Sequence, residues 1–246
     1  MGLCAGRSHR GQTHPDLAFI GKRQRLVQRE DTMEKIVTQC EDTGVRTMMI
    51  SSLYLAPIAY YAALFRAENA LMEIHDNYQK QSYRNRCHIA GANGMLALSI
   101  PIEKPSSGKG AMKDIRIADH GNWQHLHWNA IVSAYNSTPF FQYYEDDFRP
   151  FYQHKFTHLH DFNEGLRQLI CRLAGIETSV VYTSGYEAAT GSGKCDLREV
   201  IHPKKKPRWV TPRYYQVFSD KNGFIADLSI IDLLFNMGNE TSLFLM

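Results

Sequence analysis

In the stretch HDNYQKQSYRNRCHIAG, residues 75–91, the polar side chains Asp76, Lys80, Arg84, Asn85, Arg86 and His88 stand between two apolar runs, ALMEI and GMLALSIPI. A guanidinium fork matches the geometry of phosphate and carboxylate, so cations at this spacing point to anion binding. If the stretch begins as a helical turn, Lys80 and Arg84 share a face. If it is extended from Arg84 onward, Arg84, Arg86 and His88 share a face at period two. In either case the cationic groups converge where the preceding strand ends. Carboxyl ends of parallel strands are where open α/β sheets bind ligands. The plainer alternative is a solvated entrance to a hairpin.

Other motifs carry less. GSGK (191–194) lacks the phosphate-loop pattern, with Ala188 where the first glycine belongs and Cys195 where Ser or Thr belongs. Histidines group at His120, His125 and His127, and again at His154, His158 and His160. His154 and His158 would share one helix face, as metal ligands can, but no acidic third ligand is fixed by spacing. Phe141, Tyr144, Phe148 and Phe151 fall at helical spacing, which reads as core packing or as a wall that stacks a sugar or base.

The elements that must position these groups begin at Thr47. TMMISSL is a strand, Pro57 opens the helix IAYYAALFRAE, and ALMEIHD is a second strand, giving a parallel pair with a right-handed crossover. RCHIAGANGMLALSIPI is a hairpin turning at Asn93-Gly94. DIRIAD alternates as a short strand, and Pro150 breaks or starts an element. The segment 156–176 is a long amphipathic helix stopped by Gly175, SVVYTS is a strand, and LSIIDLLFNMG is a terminal helix capped by Gly238. The expected fold class is α/β: a Rossmann-like, mostly parallel sheet with a β-hairpin extension and a helical C-terminal half.

Composition sets the class limits. Of 28 Lys+Arg and 25 Asp+Glu, the first 46 residues hold 8 and 6, leaving 20 and 19 in a nearly neutral body. That argues against a nucleic-acid binder. Five scattered cysteines without a CxxC show no disulfide framework and fit a reducing cytoplasm. The uncharged run Thr47–Phe65 contains Pro57 and several hydroxyls, so it reads as a buried strand and helix rather than a membrane span. Residues 1–46 read as a disordered N-terminal extension, with Met48 as an alternative start directly on the first strand. Residues 47–246 read as a single α/β domain.

The blocks SSLYLAPIAYYAAL, HDNYQKQSYRNRCHI, NG…LSIPI, HW with AYNSTPFFQYY, DFN, and YYQVF…GFIADLSIIDLLFN, taken together and in this order, resemble the WbqC-like protein family across about residues 48–246. The family takes its name from an O-antigen gene cluster, so the resemblance implies a bacterial role in surface-polysaccharide synthesis. It assigns no residue a role. The first block is also similar to the strand–HxGH–helix start of nucleotidyltransferase-like folds, but both histidines are absent, which leaves only the topology as analogy.

The polar residues inside these blocks are the candidates. On chemical grounds, His127 is expected as general base, with Asp76 or Asp161 orienting it. Tyr54, Lys80, Arg84, Asn85, Arg86, Tyr135, Asn163, Tyr214 and Gln216 are expected to bind substrate, and Asp232 stands beside them in the last block. The first expectation is a transferase acting on an activated anionic substrate bearing phosphate or carboxylate, such as a nucleotide-linked sugar. The alternatives are a non-catalytic nucleotide- or glycan-binding protein and, third, a metal-dependent hydrolase. The sequence names no cofactor, metal or oligomeric state.

Overall fold

A computed structural model describes residues 47–105, 108, 110–188, 194–205 and 210–246. The expected 1–46 extension and most of the GSGK loop lie outside the described residues. The apolar run after Thr47 forms β1 (Thr47–Ser51) and α1 (Ile58–Arg66), and the next forms β2 (Asn69–Glu73). β1 and β2 pair in parallel, Met49 against Leu71. Two later strands complete the sheet, β5 (Ser179–Tyr182) beside β2 and β6 (Lys194–Asp196) beside β1. The order is β5-β2-β1-β6, all parallel. All four carboxyl ends therefore lie along one edge.

The hairpin is a separate two-stranded sheet, β3 (Arg86–Gly91) and β4 (Gly94–Ser99), turning where Asn93-Gly94 predicts. Loop contacts hold it to the rest: Tyr54 N–H donates to Tyr83 O at 2.9 Å, and Ser229 N–H to His88 O at 2.7 Å. The helices α2 (Trp123–Tyr135), α3 (Phe141–Gln153) and α4 (Leu159–Ala174) follow, and then the short α5 (Ser219–Asn222) and α6 (Ile230–Met237). The fold class is thus mixed α/β, with a parallel four-stranded sheet, an antiparallel hairpin and a helical C-terminal half. Among the described residues no helix is long and apolar enough to cross a membrane.

Three local expectations are corrected. DIRIAD is not a strand; it makes only the isolated bridges Ile102–Ile117 and Arg116–His158. Pro150 neither starts nor ends a helix but sits inside the last turn of α3. YYQVF, expected as a short extended segment, forms no strand, and its Tyr214 and Gln216 turn inward to Asp232. Cys87 and Cys171 are buried and free.

The aromatic face of α3 is core. Phe141, Tyr144 and Phe148 pack around Phe235 of α6 with ring centroids 5.2, 6.5 and 5.3 Å away. The chain leaves α6 at Gly238, whose φ is +57° and whose added Cβ would stand 2.5 Å from the Phe140 ring. Backbone conformation and space both demand glycine there. Gly238→Ala is expected to lower stability by about 2 kcal/mol or more, measured by urea unfolding. An unchanged midpoint would contradict this packing.

Candidate functional site

The carboxyl edge of the parallel sheet collects charge. Glu73, the last residue of β2, is fully buried. Its Oε1 accepts from His75 N–H at 2.7 Å and from the Thr183 hydroxyl at 3.0 Å. Its Oε2 accepts from Glu187 N–H at 2.8 Å and faces the Arg198 guanidinium at 3.6 Å. One carboxylate thus ties the ends of β2, β5 and β6 together. Arg198 also clasps Asp196, at 2.5 Å between Nη2 and Oδ2. Burial alone would raise the Asp196 carboxyl, but these hydrogen bonds hold it below its ordinary value.

Beside this knot lies a second pair. Arg84 is 1% exposed. Its guanidinium bonds Asp76 Oδ2 and donates to the Ser51 hydroxyl, at the end of β1, at 3.3 Å. Asn163 on α4 is equally buried and donates from Nδ2 to the Arg84 carbonyl at 2.8 Å and to Ser52 Oγ at 3.5 Å. Burial raises the Asp76 carboxyl above the usual carboxylate range, although Arg84 opposes that shift. Over the same edge, His202 is held down by burial and by the positive charges of Lys205, Lys204 and Arg84, against a pull from Glu199.

The structure brings Asp76, Arg84 and Asn163 together and places the other candidates elsewhere. Residues 75–85 contain no helix, and β3 begins only at Arg86. Lys80 and Arg84 therefore share no helical face, and Arg84, Arg86 and His88 no continuous strand face. Lys80 is exposed. Asn85 ties itself to Ile100 O at 2.8 Å, and Arg86 reaches Ser99 Oγ across the hairpin at 3.0 Å. Arg84 alone of the three arginine and lysine candidates turns inward.

His127 lies in an aromatic interior. Its Nδ1 meets Tyr54 Oη at 3.0 Å, and that hydroxyl meets Tyr152 Oη at 3.0 Å. Burial pushes the imidazole down to about 4. A neutral ring so acidic as its conjugate has little driving force as a base near pH 7. Its Nδ1 bonds Tyr54, not Asp76 or Asp161; Asp161 is exposed on α4, 3.6 Å from His158. Tyr135, Tyr214 and Gln216 converge on Asp232: Tyr135 Oη donates at 3.0 Å, Tyr214 Oη at 2.5 Å and Gln216 Nε2 at 3.0 Å. These groups satisfy one another and fasten residues 214–216 to α6. Among the described residues no three His, Cys, Asp or Glu side chains converge as a metal site.

Sequence reasoning passed over Ser51, Ser52, Glu73, Asp196 and Arg198. Glu73 left a signal: a carboxylate inside the apolar run ALMEI must be paired if that run is a core strand. Arg198 left none: Asp196 is only two residues away, but Glu73, the partner that sets Arg198 at the sheet edge, is remote in sequence.

Comparison with known proteins agrees with the resemblance read from the blocks. The model of the WbqC-like protein family matches residues 52–202. That span holds Ser52, Glu73, Asp76, Arg84, Asn163, Asp196 and Arg198. An uncharacterized protein of Mycobacterium tuberculosis is 23% identical over 220 residues, covering 79% of this chain and 95% of its own length. No solved structure matches the chain significantly.

Two outcomes follow from the buried charges. Arg84→Met should cost about 3–5 kcal/mol, because it strands the Asp76 carboxylate, and Arg84→Met/Asp76→Leu should recover much of that loss in urea unfolding. A double variant no better than the single would show that the pair does not balance itself. For His127, the folded value lies below the unfolded one, so the unfolded chain binds more protons between pH 6.5 and 4. Stability should fall on acidification through that window, by up to about 3 kcal/mol from this group. The pH slope should be shallower in His127→Gln.

Proposed function

The chain belongs to the WbqC-like protein family, and from that premise we propose that it is a transferase binding an activated anionic substrate at the carboxyl edge of its parallel sheet. A nucleotide-linked sugar is the kind of substrate meant. The observation that carries this reading is the buried Arg84–Asp76 pair at the end of β1 and β2, beneath a rim where Lys204, Lys205 and Arg84 depress His202. Interior charges of this kind are costly and concentrate at functional sites. Lys80 and Lys204, both exposed, would meet phosphate or carboxylate at the rim. Asp76, raised by burial, would exchange the proton with the attacking or leaving oxygen. Surface-polysaccharide or O-antigen synthesis in the bacterial cytoplasm is the setting that the family resemblance suggests.

One observation favours the second reading, a non-catalytic nucleotide- or glycan-binding protein. Asp76 is already engaged by Arg84, which suits holding a ligand as well as reacting with one. A thermal-shift series on the full chain tests both readings, with nucleotide sugars, nucleotides, sugar phosphates, acyl-CoAs and amino acids. A ligand that binds the native state raises the melting temperature by mass action. One anionic class should do so, and less in Lys204→Ala/Lys205→Ala. Asp76→Asn should keep that shift and lose turnover of the same ligand. A shift with no turnover in the unaltered chain would decide for the binding protein. No shift with any anion would end both.

A further inference from the structure

Three buried polar atoms in this cluster have no hydrogen-bond partner among the described residues: Arg84 Nε, Asp76 Oδ1 and Asn163 Oδ1. Their residues are 1%, 8% and 1% exposed. They are knit into one group, since Arg84 bonds Asp76 through its terminal nitrogen and Asn163 bonds the Arg84 carbonyl. That carbonyl also fixes the Asn163 amide. Its NH2 must face the carbonyl oxygen, so Oδ1 is the acceptor left over. Leaving such atoms unpaired costs each its desolvation energy, and folded interiors seldom tolerate it.

The unpaired set has a definite chemistry, one donor and two acceptors. A carboxylate or a phosphate diester offers only acceptors. It would satisfy Arg84 Nε but would face two oxygens, one belonging to a carboxylate. We infer that the Arg84–Asp76–Asn163 cluster receives a neutral group that donates two hydrogen bonds and accepts one. Two adjacent hydroxyls of a sugar ring or a primary carboxamide meet that demand. Each places two O–H or N–H donors on Asp76 Oδ1 and Asn163 Oδ1 and one oxygen on Arg84 Nε. The inference rests on substrate binding at this edge and deepens it. The anionic part of the ligand lies at the lysine rim, and its neutral part is read inside.

Saturation-transfer NMR on the full chain tests this with three probes: a methyl glycoside with adjacent free hydroxyls, nicotinamide as the carboxamide, and dimethyl phosphate as an anion without O–H donors. One neutral probe should bind, its identity separating the two sources, and dimethyl phosphate should not displace it. Asn163→Leu should weaken the neutral probe about tenfold or more and leave phosphate unchanged. If that variant does not fold, competition in the unaltered chain still decides. Displacement of the neutral probe by phosphate overturns the inference, as does binding of phosphate with neither neutral probe, and both results leave the anion reading standing. A neutral probe that binds where phosphate does not supports the inference and removes the anion reading. Failure of all three probes removes both.

Discussion

A carboxylate cannot be taken out of water without being met on every side, and Glu73 sets that condition for the whole edge of the sheet. Ionic burial costs several kcal/mol unless hydrogen bonds replace the lost water. Glu73 recovers it from two backbone N–H groups, the Thr183 hydroxyl and Arg198. Those partners come from the segments after β2, β5 and β6. The loops at this edge are therefore not free to drift. They are held by one charge, and the Arg84–Asp76 pair sits in the frame they make.

Among the described residues, three of the buried polar groups differ in character. The sheet edge holds charges of both signs. The Tyr54–His127–Tyr152 group is a neutral knot among aromatic rings, where burial keeps the imidazole uncharged. The Asp232 group is a single carboxyl shared by two tyrosines and a glutamine. The last two are bonded among their own members, whereas the first leaves donors and acceptors over. That difference sets the sheet edge apart from the other two.

Much of the frame was legible in the residues. Uncharged runs broken by Pro57 mark β1 and α1, and Asn93-Gly94 marks the hairpin, because turn chemistry is local. Arg84, Asp76 and Asn163 were also named from their surroundings. What the sequence does not carry is direction. Lys80, Arg84 and Arg86 look alike on the page, but only Arg84 finds a buried carboxylate, and that depends on where Asp76 and Ser51 come to rest. His127 has the chemistry of a base in isolation and loses it on burial between Trp123 and Tyr54. Pro150 stands in the last turn of α3, where it removes one N–H from the helix ladder without preventing the helix from running on to Gln153.

The pairing of Thr47 with Lys194 also governs the order in which the chain can fold. β1 emerges first among the strands and lies inside the sheet, yet one of its neighbours arrives only after every long helix but α6 has been made. Contacts so remote in sequence form slowly, since a long loop must close before they are rewarded. The early β1–α1–β2 unit therefore waits with Glu73 unmet by Arg198. The carboxyl edge, where Glu73, Arg84 and Arg198 lie, is the last part of the sheet to be assembled.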